Sequence, residues 1–311
     1  MQSRKILFTE NFHSSLAEQL RSAGYDCDEM PGITYDEVLS CIQNYVGIVV
    51  ATRVRVDKKL IDVATQLKFI ARAGSGMENI DTGYARAKNI RCINSPEGNS
   101  NSVAEHAVGL LIASFHNIVK SAAETTLHQW KTEENRVHEL EGKTIAIIGY
   151  GNTGRAFAKK LQPFGMSVLA YDKYLLNYGD AYAIESNMEE IFARSHIISF
   201  HIPLTHETRF MVDRAYLQRF TQPIHLINTS RGKIIRHHDL LQLIREQKVL
   251  SASCDVYENE NFVGQSEEEK NVFDELVKTG RVIFTPHVAG KSFESKKKIA
   301  EVLVKKILLR E

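Results

Sequence analysis

The sequence predicts an α/β protein of two doubly wound parallel-sheet domains, one inserted into the other. Three observations lead there. The 311 residues amount to about two domains at roughly 150 residues each. Short apolar runs alternate with stretches of helical period, the pattern of a parallel sheet covered on both faces. That alternation comes as two separate series, and a last amphipathic helix follows the second.

In the first series the runs 6–8, 47–51, 67–71 and 90–93 read as buried strands, with helical segments such as 14–23 and 34–42 between them. Pro96-Glu97-Gly98-Asn99 reads as a turn-rich boundary. A long helix starts near Asn101 and continues through SVAEHAVGLLIASFHNIVKSAAETT; it is apolar along most of one side and is expected to be a largely buried connector. The second series places strands at 144–148, 167–171, 196–201, 224–228, 250–254 and 281–284, and helices at 152–161, 188–194, 238–245 and 271–278. In the final segment, 292–310, Ile299, Val302, Leu303 and Ile307 fall on one helical face, and lysines 296 to 298 form a solvated face. The expected domains are therefore 1–98 with 291–311, and 99–290.

Composition narrows the function classes. Lys plus Arg number 39 against 38 Asp plus Glu, a net +1 that argues against non-specific nucleic-acid binding or an electrostatic membrane anchor. No apolar run approaches the roughly 18 residues of a membrane span. The start, MQSRKILFTE, turns polar too soon for a signal peptide. A cytoplasmic location is expected. Cys27, Cys41, Cys92 and Cys254 are far apart with no CxxC pair, so free thiols and no metal site are expected.

KTIAIIG runs into Gly149-Tyr150-Gly151-Asn152-Thr153-Gly154 and then the helical RAFAKKLQPFG. A bare GxGxxG is weak, but a strand before it and a helix after it supply the context of a dinucleotide-binding Rossmann turn. Gly149 permits the sharp turn, Gly151 lets backbone approach a pyrophosphate, and Gly154 lets the helix sit on the strand. The helix N-terminus offers free N–H groups and partial positive charge. Asp172 ends the next strand, 18 residues after Gly154, close to the spacing of the acid that binds the adenosine ribose. A carboxylate there favours NAD over NADP, although Lys173 directly follows and keeps NADP open.

Three further strand ends carry polar residues: Asn228-Thr229-Ser230-Arg231-Gly232, Asp255-Val256-Tyr257-Glu258-Asn259-Glu260, and Thr285-Pro286-His287-Val288-Ala289-Gly290. Ligands of open parallel sheets bind outside the carboxyl ends of strands, so these clusters are expected to converge. An arginine, a carboxylate and a histidine together make an anion clamp and an acid/base pair.

GYGNTG, NTSRG, DVYENE and TPHVAG, with ARAGSGMENID and NSPEGNSNSVAEHAVGLL upstream, resemble the D-isomer-specific 2-hydroxyacid dehydrogenases in order and spacing. The resemblance covers the chain from about residue 47. It is greatest to the short, phosphoglycerate dehydrogenase-like branch without a C-terminal regulatory domain. It implies a Rossmann NAD-binding domain inserted into a flavodoxin-like substrate domain, and hydride transfer between NAD(H) and a small D-2-hydroxyacid or 2-ketoacid. Substrates left open include 3-phosphoglycerate/phosphohydroxypyruvate, glyoxylate and hydroxypyruvate. A NAD-sensing, co-repressor-like binding protein is the alternative from another class.

By that resemblance Arg231 holds the substrate carboxylate and 2-oxygen, His287 is the general acid/base, and Glu260 orients its ring. Contacts to NAD fall to the GYGNTG turn, Asp172, His201, Pro203, Thr229, Ser230, Asp255 near the nicotinamide, His287 and Gly290. Gly74, Ser75 and Gly76 would present backbone N–H groups to the substrate carboxylate. Arg53 lies where some relatives carry a substrate-binding basic residue, which leaves a phosphate open. A homodimer is implied, with the 103–118 helix as its contact. Departures from the family pattern are Asn261 where proline usually follows the catalytic glutamate, a long acidic loop at 261–270, and Asn152-Thr153 in place of a basic–aliphatic pair. His106 reads as a satisfied structural histidine, and Trp130 as packing on the linker between domains.

Overall fold

A computed structural model describes residues 4–309, in two units: Met1–Ser100 with Lys291–Glu311, and Asn101–Gly290. The first unit holds β1 (Lys5–Phe8), α1 (Ser14–Ser22), β2 (Asp26–Glu29), α2 (Tyr35–Cys41), β3 (Gly47–Val50), α3 (Lys58–Val63), β4 (Phe69–Arg72), α4 (Thr82–Ala87) and β5 (Arg91–Asn94). Its all-parallel sheet runs β2-β1-β3-β4-β5, the flavodoxin-like order. The central strand β3, Gly-Ile-Val-Val, is wholly buried. The edge strand β2, Asp-Cys-Asp-Glu, buries only Cys27 and so carries no apolar run for a sequence reading to find.

The long helix α5 (Pro96–Phe115) starts five residues before Asn101: the expected turn is its first turn, with proline at a position that needs no N–H donor. The unit boundary therefore falls inside a helix. The helix also stops sooner than the apolar pattern. Asn117 takes a left-handed conformation (φ 48°), and α6 (Ile118–Thr126) continues at an angle of 62°. Among the described residues no single helix is long and apolar enough to cross a membrane.

The second unit continues with β6 (Thr144–Ile148), α7 (Asn152–Leu161), β7 (Ser167–Tyr171), β8 (Ile184–Glu185), α8 (Met188–Arg194), β9 (Ile197–Phe200), α9 (Arg214–Gln218), β10 (Ile224–Asn228), α10 (His237–Arg245), β11 (Val249–Cys254), α11 (Glu267–Lys278) and β12 (Val282–Phe284). Its parallel sheet runs β12-β11-β10-β9-β6-β7-β8, a Rossmann order whose strand sequence reverses at β6. Ala104, Ala107, Leu111 and Phe115 of α5 pack with Ile145 and Ile147 of β6. Of the residues 103–118 expected as a dimer contact, these four are therefore already inside the unit's own core. The stretch expected as a long acidic loop is shorter than foreseen. After one turn at Phe262–Gly264, Ser266 and Glu269 form a reciprocal capping box that starts α11 at Glu267.

The chain ends the first unit with α12 (Phe293–Leu308), whose Ala300, Leu303, Val304 and Ile307 pack on Ile6, Phe8 and Ile93. Arg310 lies outside the described residues. Within this unit a Cβ added at Gly98 would lie 2.7 Å from the Cα of Ile299; in the second unit one at Gly109, farther along α5, meets nothing within 4 Å. Gly98→Val is therefore expected to cost about 1–3 kcal/mol by overpacking, and Gly109→Ala to add up to about 1 kcal/mol through helix propensity. Urea-unfolding midpoints of the two variants should move in opposite directions.

Candidate active site

β6 enters the glycine turn with Gly149 at φ +92°, a region open to glycine. A Cβ there would lie 2.5 Å from the His201 carbonyl oxygen, and one on Gly154 only 2.1 Å from the Gly149 carbonyl oxygen. These two glycines let strand, turn and helix interlock. Gly151 is different, because an added Cβ would meet no atom within 4 Å. It caps α7 without a side-chain hydrogen bond, so the N–H groups of the first turn, at Asn152 and Thr153, open onto that space.

Asp172, at the end of β7, ties the turn in place. Its Oδ2 accepts from the Tyr150 N–H (2.9 Å), and its Oδ1 from the N–H groups of Tyr174 (2.9 Å) and Leu175 (3.2 Å). A carboxylate has about four acceptor sites, so a ribose hydroxyl still finds a partner. Lys173 is engaged by Glu207, at 2.6 Å.

At the end of β9, His201 places Nε2 2.8 Å from Ser199 Oγ and packs on Phe157. Its Nδ1 is buried without a partner, as is Thr229 Oγ1 at the end of β10. Buried polar atoms are normally satisfied. Two orphans at adjacent strand ends, beside an uncapped helix and an open glycine, fit a ligand carrying both donors and anionic groups. Pro203 is exposed and accepts from Thr208 Oγ1. Ser230 donates N–H and O–H to Asn228 Oδ1, while Asn228 Nδ2 donates to the Arg231 carbonyl. A Cβ on Gly232 would lie 1.9 Å from the Tyr257 carbonyl oxygen. That close approach brings the segment after Arg231 against the one leading to Glu260.

His287 follows β12 and takes a left-handed conformation (φ 53°), unusual for a non-glycine residue. Its N–H donates to the Asp255 carbonyl (2.8 Å), and its Nδ1 lies 2.9 Å from Glu260 Oε2. Burial pushes the Glu260 carboxyl up. The hydrogen bond and charge of His287 outweigh this, with Arg231 adding to them, and hold it below the ordinary carboxylate value. Arg231 and His287 thus both act electrostatically on Glu260, although 56 residues separate the two. Arg231 also donates from Nη1 to the Ser230 carbonyl (2.7 Å).

Asp255, expected at the nicotinamide end of the cofactor, is 1% exposed and its side-chain oxygens accept three hydrogen bonds. Oδ1 accepts from Thr285 Oγ1 (2.6 Å) and the Val288 N–H (2.9 Å), and Oδ2 from the Ala289 N–H (2.8 Å). It braces the His287 loop. His106, read as structural, places Nε2 3.0 Å from Thr285 Oγ1 and 3.5 Å from Asp255 Oδ1. Ser102 Oγ donates to the Ala289 carbonyl beside Gly290 (2.6 Å). A second pair escaped sequence reading: Glu258 accepts the His237 backbone N–H at the start of α10 and lies 3.2 Å from that residue's Nδ1. Nothing in the bare His-His dipeptide signals this.

In the first unit Gly74 is corrected. Its N–H already donates to Ser95 Oγ and the Arg72 carbonyl, both at 2.9 Å, so it has none to present. Among the described residues the N–H groups of Ser75 and Gly76 have no such partner. Arg53 donates from Nη2 to the carbonyls of Thr9 (2.7 Å) and Ile33 (3.1 Å), which holds its own loop. Trp130 packs on no linker; it is 85% exposed.

The family model for the D-isomer specific 2-hydroxyacid dehydrogenase, NAD binding domain, matches residues 108–289, more than half of the chain. The chain belongs to that family. It is 31% identical to the D-3-phosphoglycerate dehydrogenase of Methanocaldococcus jannaschii over 99% of its own length, and spans 58% of that relative. It is 32% identical to the hydroxypyruvate reductase of Thermotoga maritima, covering 88% of this chain and 87% of that one. The solved structure of the TT0316 protein from Thermus thermophilus superposes with a TM-score of 0.82 at 26% identity, over 98% of this chain and 96% of that one. The resemblance read in the motifs is thereby shown, as is the pair of parallel-sheet domains.

Within a member of this family the three turn glycines are expected to separate stability from binding. Gly154→Ala should prevent stable folding of the second unit, whereas Gly151→Ala should leave the melting temperature near wild type and weaken NADH binding at least about tenfold. Calorimetry and fluorescence titration check both. His201 is pushed down to about 3 by burial, against 6.5 in an open chain. Between those values the unfolded state binds more protons, so this residue's contribution is full above pH 6.5 and is lost as pH falls towards 3. The melting-temperature gap between wild type and His201→Asn should therefore shrink from pH 8 to pH 4.5.

Proposed function

We propose that the protein is an NAD-dependent oxidoreductase acting on a small D-2-hydroxyacid or 2-ketoacid. The observation that carries this reading is the His287–Glu260 pair, an acid/base group with a fixed orientation at the end of a Rossmann strand. NAD supplies the hydride acceptor or donor, and the rest falls to side chains. An ionised Glu260 can only accept, so Nδ1 of His287 carries a proton and Nε2 is the atom that exchanges one with the substrate oxygen. During oxidation Nε2 takes the hydroxyl proton, and the adjacent carboxylate stabilises the imidazolium so formed. During reduction the proton returns to the new hydroxyl. Arg231 offers a rigid fork of donors to the substrate carboxylate and 2-oxygen. The names of relatives point to three-carbon acids, with or without phosphate.

His287→Ala is expected to lower kcat by about 10²–10⁴ in a keto-acid reduction assay with NADH; wild-type turnover would remove it from the mechanism. Arg231→Lys should raise KM for the keto acid, since a point charge does not replace the fork. If both constants match wild type, no clamp is formed there.

We further propose a homodimer, with the contact moved from α5 to α6 and the arm that follows. Ile118, Val119, Leu127 and Trp130 are 48%, 52%, 68% and 85% exposed, an apolar cluster in one short stretch that a second copy would cover. Light scattering of Trp130→Asp should then report a monomer where the wild type is a dimer.

A further inference from the structure

Lys173 follows Asp172 directly, and a lysine at this place would offer its charge to a phosphate on the ribose 2′-oxygen. Its Nζ is held 2.6 Å from Glu207 Oε2, and the same oxygen accepts from Tyr174 Oη at 2.8 Å. The pairing raises Lys173 and lowers Glu207 from their ordinary values, chiefly through that hydrogen bond. Glu207 does not reach Lys173 from a slack loop. Thr208 Oγ1 donates to the Pro203 carbonyl (2.7 Å) and accepts from the Thr205 N–H (2.8 Å), closing the turn that carries Glu207.

The charges then decide between two ribose substituents. A 2′-hydroxyl needs an acceptor, which Asp172 retains beyond its three N–H bonds. A 2′-phosphate, of charge about −2, would meet two carboxylates and one lysine already neutralised by one of them. We propose that Glu207 is a specificity-determining residue, which ties up Lys173 and so makes the site prefer NAD(H) to NADP(H). This rests on the reading of the glycine turn as a dinucleotide site.

Fluorescence titrations of the full chain with NADH and NADPH test it. Glu207→Gln should lower the ratio of the NADPH to the NADH dissociation constant by about five- to tenfold, the scale of one exposed charge acting on a phosphate. The gain should vanish in Lys173→Ala/Glu207→Gln, because it works through the released lysine. An unchanged ratio in Glu207→Gln overturns the proposal. So does an equal gain in the double variant, which would make Glu207 a simple source of repulsion. If neither dinucleotide binds the wild type, the reading of the turn fails and the proposal falls with it.

Discussion

The side chain on which most of the second unit's polar chemistry depends is the buried carboxylate of Asp255. It sits one residue past β11, where the residue's own N–H donates to the Asn228 carbonyl and the Cys254 carbonyl accepts from the Thr285 N–H. Its two oxygens bind one hydroxyl and two N–H groups of the Thr285–Ala289 loop, and its carbonyl accepts from His287. Those four bonds let His287 keep a left-handed backbone that costs roughly 1–3 kcal/mol for a non-glycine residue. Because the backbone is held, Nδ1 meets Glu260 and Nε2 faces outward from that pair. Removing this acceptor would leave two N–H groups and one hydroxyl without their partner, each loss expensive in itself. His106 extends the network to α5, so a residue with no acid/base task still bears on the orientation of the one that has it.

Glu260 reaches the same place by packing. Gly232 touches the Tyr257 carbonyl too closely for any side chain, and Glu258 caps α10 through the His237 N–H. The 255–260 segment is thus pinned at its middle, at Tyr257 and Glu258. Asn261 in place of the family's usual proline does not loosen it, since the Asn261 N–H donates to Asn259 Oδ1 and its carbonyl accepts from the Gly264 N–H. Histidines away from these strand ends behave differently. His225 in β10, pushed down to about 4 by burial, shares a hydrogen bond with Ser251 and belongs to the core. A histidine is free to exchange protons only where the fold leaves one ring nitrogen outside.

Much of the fold was legible because the rules involved are local. β6 and β7 match the apolar runs to the residue, as does α7, and the glycine turn lies where its spacing put it. The edge strand β2 and the two-residue β8 escaped notice, for a polar edge needs no apolar run. The long apolar helix was read straight, although Asn117 breaks it; asparagine tolerates the left-handed region, and nothing in the hydrophobic pattern marks that choice.

The sequence by itself determined the order of elements, the place of each tight turn and the residue types delivered to strand ends, since these follow from contacts within a few residues. Only the tertiary structure decided what those residues do. It turned Asp255 inward as a brace, occupied the N–H of Gly74, left Trp130 in solvent and paired Lys173 with Glu207. Each of these outcomes depends on which segments a crossover brings side by side, and on whether a polar atom meets a partner before it meets water. Spacing along the chain carries no record of either.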